Sequence, residues 1–275
     1  PRLKRVLRKG LGNPGPFLYL ASMTLTDATF HHFTAPDGAQ LVWHEMGAGR
    51  PVVLLHGLFS DARTNWIRYG HAKLLTENGF RVIMPDLRAH GSSAKSHDCA
   101  DYPTDILVDD GLSLISHLGL SDYDLGGYSL GGRTALRMVV RGAKPRRLIV
   151  SGMGLSGLTD TAPRTNHFKH ILDNLGRFEK FTPEWNAESF LKTTRGDSVA
   201  LRLLLDTFID TSPESIAEIA VPTLVLSGEE DSDNGSVAAL AAKLPDALLV
   251  RTPGGHMSAV TKPELGQAIA NFLTA

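Results

Sequence analysis

The stretch "DLGGYSLGGRTAL", residues 124–136, places four glycines around one serine, Ser129. Glycine inside a regular element costs roughly 0.5–1 kcal/mol relative to alanine, so this crowding indicates that the backbone must approach another part of the molecule closely. Apolar residues lead into the stretch and an amphipathic segment leads out, which predicts a strand, a tight turn and a helix. We expect Gly127 and Gly131 to make room for the turn. Gly126 is expected to let a neighbouring strand pack closely, and Gly132 to let the following helix pack close to the sheet.

Short apolar runs alternate with longer segments typical of helices, which predicts an α/β fold with a mostly parallel sheet and helices on both faces. Two runs around the Pro-Asp-Gly turn at 36–38 predict an antiparallel hairpin at the sheet edge. Six further runs rich in Val, Ile and Leu give eight strands in total, and most read as strands buried on both faces. The predicted helices are 64–78, 104–118, 130–142, 235–243 and 262–274.

One long segment breaks this alternation and divides the chain. Residues 155–216, called the helical segment below, contain helix-like stretches and no convincing strand. Because ligands in open α/β sheets bind beyond the carboxyl ends of the strands, we expect this insertion to form a small helical cap over the site. The core domain then comprises residues 23–154 and 217–275. Residues 1–22 form a basic arm with five basic residues and no acid, which is expected to be dispensable; the alternatives are an ordered arm that packs on the body or on a partner, and an anchor at a membrane surface.

Composition excludes several classes of function. The 275-residue chain is 42% hydrophobic with a net charge of −1, which is typical of a globular protein and gives no reason to expect nucleic acid or a strongly acidic partner. No apolar run approaches the ~18 residues of a membrane span. Cys99 is the only cysteine, so no intrachain disulfide forms and a cytoplasmic location is expected. The sequence carries no metal-ligand, dinucleotide or phosphate-loop motif, so we expect no metal and no cofactor, and the oligomeric state stays open.

The glycine-flanked serine is a candidate nucleophile, which requires a base and an acid. Ser129 lies in a G-x-S-x-G pattern at the predicted strand-to-helix turn, the setting of a nucleophile elbow. His256, in the loop after the last predicted strand, is the preferred base, and His90 is the serious rival. Asp231 follows a buried strand and gives the chain order Ser, acid, His, with Asp233 as the main alternative.

Backbone donors and neighbouring side chains complete the predicted site. The N–H groups of Leu58 and Leu130 are placed, by position after a strand and after the serine, to stabilise an oxyanion. Phe59 and Tyr128 flank the same two loops and are the expected substrate contacts.

Several motifs in order resemble the α/β-hydrolase fold superfamily, over about residues 24–275. They are "LLHG" at 54–57, "PDLRAHGSS" at 85–93, "GYSLGG" at 127–132, and "LSGEED" and "GGH" near the end. The resemblance implies a Ser129–His256–Asp231 triad. Within the superfamily, the sequence is most similar to the serine branch of small bacterial esterases and enol-lactonases. Dehalogenases and epoxide hydrolases carry aspartate at the elbow, where this chain has Ser129.

The resemblance also assigns a structural loop. Asp86 and Arg88 match a loop that shapes the family's site without taking part in chemistry. Ala89 stands where the family usually has glycine, so we expect that this loop differs in shape.

The expected reaction is hydrolysis of small to medium carboxylic esters or lactones through an acyl-enzyme on Ser129. Fold alone does not determine the reaction, so two alternatives stay open. One is a carbon–carbon bond (β-diketone type) hydrolase or cofactor-free lyase, for which Arg164, Arg177 and Arg195 are candidate groups to bind an acidic substrate. The other is a ligand-binding receptor with a slow site. For Arg164, Arg177 and Arg195, the simpler explanation is that they lie on solvated helix faces.

Overall fold

The computed structural model of the protein describes residues 28–275, so the basic arm predicted at 1–22 lies outside the described residues. Eight strands form one sheet in the order β1-β2-β4-β3-β5-β6-β7-β8. Their bounds are β1 Thr29–Thr34, β2 Gln40–Met46, β3 Arg50–Leu55, β4 Phe80–Asp86, β5 Asp124–Tyr128, β6 Leu148–Ser151, β7 Thr223–Gly228 and β8 Ala247–Thr252. The predicted α/β fold with an eight-stranded sheet is confirmed.

The edge hairpin forms as its turn sequence predicts. Strands β1 and β2 pair antiparallel, with Thr34 opposite Gln40 beside the turn, and β2 also runs antiparallel to β4. Every other neighbouring pair is parallel. In β5, β6 and β7 every residue is buried, as continuous apolar runs in a sheet covered on both faces require.

Eleven α-helices lie in residues 28–275, with one π-helical turn at Arg63–Ile67. Their bounds are α1 His71–Glu77, α2 Ile106–His117, α3 Leu130–Val140, α4 Ser156–Thr159, α5 Ala162–Asp173, α6 Pro183–Thr193, α7 Ser198–Leu204, α8 Pro213–Ala217, α9 Val237–Lys243, α10 His256–Ala259 and α11 Pro263–Thr274. The prediction of one helix over 64–78 is wrong, because Gly70 adopts φ 83° and separates the π-helical turn from α1.

The helical segment joins β6 to β7 and contributes to the main core. Helices α4 to α7 lie in it, α8 ends one residue beyond it, and within this fully described segment no strand forms. Its buried side chains Leu172, Leu191 and Leu201 belong to the same apolar cluster as Val150 of β6 and Val225 of β7. The helical segment therefore shares one apolar core with the sheet. No helix among residues 28–275 has both the length and the apolar character needed to cross a membrane.

Candidate active site

Ser129 occupies a strained turn at the carboxyl end of β5. Its φ of 53° and ψ of −114° lie in a region that residues with a Cβ rarely adopt, and its N–H donates to the Ser151 carbonyl over 2.8 Å. A Cβ on Gly127 would lie 2.3 Å from the Gly131 carbonyl carbon, and one on Gly131 would lie 2.1 Å from the Leu55 carbonyl oxygen. The glycines therefore allow the close approach that the sequence indicates.

The other two glycines serve neighbouring contacts, as expected. A Cβ on Gly126 would lie 2.6 Å from Cβ of Ile149 in β6, and one on Gly132 would lie 3.0 Å from the carbonyl oxygen of Ser151. Helix α3 therefore begins directly against the sheet.

The structure brings Ser129, His256 and Asp231 into one hydrogen-bonded line. Ser129 Oγ lies 3.0 Å from His256 Nε2, and His256 Nδ1 lies 2.9 Å from Asp231 Oδ2. The three side chains follow the carboxyl ends of three different strands, β5, β7 and β8. Because these strands are parallel, their carboxyl ends lie at one edge of the sheet, and the three side chains meet there. In this geometry an imidazole can accept the hydroxyl proton while the carboxylate holds its tautomer.

The environment of Asp231 favours its ionised form. Burial acts to raise the pKa of Asp231, but the hydrogen bond and the charge of His256 outweigh it and hold that pKa below the usual range. Asp233, the alternative acid, points elsewhere and pairs with Arg164, with 2.8 Å between Asp233 Oδ2 and Arg164 Nη2. Of the two aspartates, Asp231 is the one in contact with the imidazole.

His90, the rival base, has both ring nitrogens engaged away from Ser129. Its Nδ1–H donates to the Arg88 carbonyl over 2.9 Å, and Nε2 accepts from the Phe59 N–H over 3.3 Å. His56 behaves similarly, donating to the Gly57 carbonyl at 2.8 Å. Both histidines shape the loop after β3.

That loop presents a backbone N–H beside the serine. The Gly57 N–H donates to Asn65 Oδ1 at 3.1 Å, and the Phe59 N–H is held by His90. Among the hydrogen bonds of residues 28–275, none uses the N–H of Leu58 or of Leu130. These two donors, one after β3 and one at the first residue of α3, are available to a bound oxygen atom.

Two cavities meet at Ser129. The first, called the Arg133 cavity, has a volume of about 40 Å³. Its lining includes Leu58, Ser129, Leu130, Arg133, Arg164, Phe168 and Phe208. The second, called the His256 cavity, offers about 180 Å³. Its lining includes Leu58, Asn65, Tyr128, Ser129, Phe190 and His256. Phe168 of α5 and Phe190 of α6 bring the helical segment to the two cavities.

The two expected substrate contacts have different positions. Tyr128 lines the His256 cavity, and its hydroxyl donates a short hydrogen bond to the His256 carbonyl. Phe59, by contrast, lines neither cavity: it is only 2% exposed and packs edge-on against Phe168, with ring centroids 5.3 Å apart. The loop turns the Phe59 side chain into the core, where it contacts Phe168 of the Arg133 cavity wall.

Two residues of this site, Arg133 and Asn65, were not among the predicted site residues. Arg133 lines the first cavity because it lies four residues after Ser129, one turn further along α3. That spacing was a usable signal. Asn65, which anchors the Gly57 N–H, gave no sequence signal, since its role depends on the π-helical turn. Of Arg164, Arg177 and Arg195, Arg164 alone lines one of these two cavities, while Arg177 and Arg195 are exposed.

The loop after β4 is anchored by its aspartate and arginine. Asp86 accepts from the N–H groups of Ala62 at 3.0 Å and Ser92 at 2.8 Å, and Arg88 makes a two-point ion pair with Asp110. Ala89 adopts φ 68°, a conformation that favours glycine. Ala89 therefore has a left-handed conformation although it carries a Cβ.

Comparison with known proteins agrees with this geometry. The model of the alpha/beta hydrolase family matches residues 52–265. A non-heme haloperoxidase of Rhodococcus erythropolis is 35% identical over 113 residues, which are 39% of this chain and 38% of that protein. The AB hydrolase superfamily protein YisY of Bacillus subtilis is 28% identical, over 73% of this chain and 81% of its own.

A solved structure extends the likeness to the fold of almost the whole chain. The thermophilic esterase of Thermogutta terrifontis superimposes with a TM-score of 0.71 and 26% identity, covering 90% of this chain and 98% of that one. The family match covers far more than half of the sequence and includes the loops that carry Leu58, Ser129, Asp231 and His256. This chain belongs to the alpha/beta hydrolase family.

Proposed function

We propose that this protein is a serine hydrolase that cleaves carboxylic esters or lactones of small to medium size through an acyl-enzyme on Ser129. The observation that carries the proposal is the continuous line from Ser129 Oγ through His256 to Asp231, with hydrogen-bond distances of 3.0 and 2.9 Å. A serine hydroxyl is a weak nucleophile until a base takes its proton, and this line supplies that base.

Acylation uses His256 first as base and then as acid. Ser129 Oγ attacks the carbonyl carbon, its proton passes to His256 Nε2, and the C=O bond opens to an oxyanion. His256 then gives the proton to the leaving oxygen as its bond to carbon breaks. Asp231 stabilises the imidazolium between these steps by accepting from Nδ1–H.

The oxyanion is stabilised by the free N–H groups of Leu58 and Leu130. Donors fixed in advance avoid reorganisation during the reaction, and each is typically worth about 2.7–4 kcal/mol of transition-state stabilisation. Water then attacks the acyl carbon with His256 as base, releases the acid and restores the Ser129 hydroxyl.

The helical segment, in this proposal, acts as a cap that closes the site from above. Phe168 and Phe190 line the two cavities, and Thr194 Oγ1, at the end of α6, donates to the Phe59 carbonyl over 2.7 Å. The cap is therefore linked directly to the loop that carries the Leu58 donor.

The test is hydrolysis of 4-nitrophenyl esters from acetyl to palmitoyl by the protein and by Ser129→Ala. We expect turnover that is lost in the variant, with an optimum at short acyl chains. Turnover that survives the substitution would contradict the proposal. Absence of turnover by the folded protein, together with cleavage of β-diketones, would replace the ester by a carbon–carbon bond.

A further inference from the structure

The two cavities at Ser129 have distinct relations to the reacting groups. The leaving oxygen must lie near His256, which protonates it, and His256 lines only the His256 cavity. Of the two oxyanion donors, Leu130 lines only the Arg133 cavity, and Leu58 lies where the two cavities meet. With the leaving group on one side and the oxyanion between the donors, the acyl chain extends into the Arg133 cavity.

Arg133 is a buried cation in the wall of this cavity. It is 5% exposed, and its guanidinium carbon lies 4.6 Å from the centre of the Phe208 ring. Its Nη2 donates to the Ile209 carbonyl at 2.6 Å, which is the one hydrogen bond that this side chain forms within residues 28–275. Its Nε is buried and has no partner there. A buried guanidinium in this state lacks the carboxylate that normally offsets its desolvation.

The nearby carboxylates are committed to other groups. Asp105 makes a two-point ion pair with Arg137 and also pairs with Arg141. Asp210 accepts from the N–H and the hydroxyl of Thr161 at 2.8 and 2.7 Å. Burial and the charge of Arg137 lower the pKa of Arg133 to about 10, so it is still a cation at neutral pH.

A second arginine lies on the same cavity. Arg164 of α5 pairs with Asp233 through Nη2, while its buried Nε has no partner among residues 28–275. No aspartate or glutamate of the described chain lines the cavity, whose other walls are largely apolar. The cavity is therefore a small, mainly apolar space with positive charge on its wall.

Building on the proposed ester hydrolase activity, we propose that the acyl part of the substrate carries a carboxylate that binds Arg133. The substrate class is then a half-ester of a short dicarboxylic acid, or a lactone with a carboxylate on its acyl side. The cavity is small, with a volume of about 40 Å³, so the acyl chain that enters it must be short. Arginine can hold such a carboxylate by charge-assisted hydrogen bonds, and Arg164 adds to the positive field.

The experiment compares two esters that differ in one charge. 4-Nitrophenyl hydrogen glutarate has a free carboxylate, and 4-nitrophenyl methyl glutarate has the same chain with that group capped. We measure kcat/KM for both, with Ser129→Ala as the blank for spontaneous cleavage. We expect the unaltered protein to favour the free acid by about tenfold or more, the value of a charge-assisted hydrogen bond.

Variants assign the preference to Arg133. Arg133→Met should lower kcat/KM for the free acid by about tenfold or more and lower it far less for the capped ester. Arg133→Lys should keep part of the preference, since the charge remains but the planar donor pair is lost. Arg177→Met, an exposed position of the helical segment, is the matched control and should keep the preference intact.

Two results would overturn the proposal and leave the serine hydrolase in place. One is equal or better turnover of the capped ester by the unaltered protein, which decides the matter even if Arg133→Met does not fold. The other is an equal loss for both esters in a folded Arg133→Met variant. If the protein hydrolysed none of the three esters (the free acid, the capped ester and 4-nitrophenyl acetate), the result would instead contradict the proposed function itself.

Discussion

At the scale of single residues, Ser129 shows how far sequence spacing can define a site. The four glycines indicated a close backbone approach, and the structure shows contacts of 2.1 to 3.0 Å at the Cβ positions that they leave empty. Strand-end positions and chain order also indicated His256 and Asp231, which lie in line with the serine. The orientation of the Phe59 side chain was beyond the sequence: it turns inward and lines neither cavity at Ser129.

The first prediction separates the two aspartates after β7. Asp231→Asn should lower kcat by about 10³–10⁴-fold, because an amide no longer holds the required imidazole tautomer. Asp233→Asn should cost less than about threefold, since this residue pairs with Arg164 at a partly exposed position. Steady-state kinetics on 4-nitrophenyl acetate measure both. A larger loss of kcat for Asp233→Asn than for Asp231→Asn would show that Asp233, and not Asp231, is the catalytic acid.

At the scale of elements, the strand–turn–helix unit of β5 and α3 was predictable because each part has its own signal. The apolar run, the glycines and the amphipathic segment agree with one another, and the helix begins at Leu130 as expected. The segment 64–78 was harder, because its periodicity continues across Gly70 while the backbone there turns left-handed. The packing of α5 and α6 against the loop after β3 depends on tertiary contacts that no local pattern encodes.

The second prediction concerns the contact between α3 and β3. Gly131→Ala would place its Cβ 2.1 Å from the Leu55 carbonyl oxygen, a backbone atom that cannot rotate away. We expect a loss of about 2 kcal/mol or more in the free energy of unfolding, together with a loss of activity. Gly132→Ala is the comparison variant: its Cβ would lie 3.0 Å from the Ser151 carbonyl oxygen, which has to shift by only a few tenths of an ångström, so the loss should be clearly smaller than for Gly131→Ala. Urea unfolding of both variants measures the difference, and equal stabilities would contradict it.

At the scale of the whole molecule, the parallel sheet is what assembles the site. The loops after β3, β5, β7 and β8 meet at one edge although they are spread over about 200 residues of sequence, from Leu58 to His256. The alternation of strands and helices predicts this meeting, since parallel strands place their carboxyl ends together. The cavities depend on side-chain packing between the sheet and the helical segment, which lies beyond such patterns.

The third prediction concerns stability and pH. Burial, followed by the nearby charge of His56, lowers the pKa of His90 to about 3, against about 6.5 in an unfolded chain. Between these values the unfolded chain binds more protons, so this contribution is fully present above about pH 6.5 and is lost as the pH falls towards 3. Asp110, whose pKa burial raises to about 6, acts in the opposite direction over part of this window.

A difference measurement isolates the histidine. His90→Gln retains groups that can accept from the Phe59 N–H and donate to the Arg88 carbonyl but does not titrate. Between pH 4 and 6 we expect its unfolding free energy to fall less steeply with decreasing pH, by at most about 1.4 kcal/mol per pH unit. Urea unfolding at several pH values gives both curves. Parallel curves would show that His90 does not carry the effect.

The covalent step at Ser129 is the central claim, and one measurement addresses it directly. The protein is treated with an organophosphate such as diethyl 4-nitrophenyl phosphate, and its intact mass and peptide map are recorded beside residual esterase activity. We expect one adduct per chain, on Ser129, forming in step with the loss of activity and absent from Ser129→Ala. An adduct at another residue, or full activity in the fully modified protein, would contradict the account.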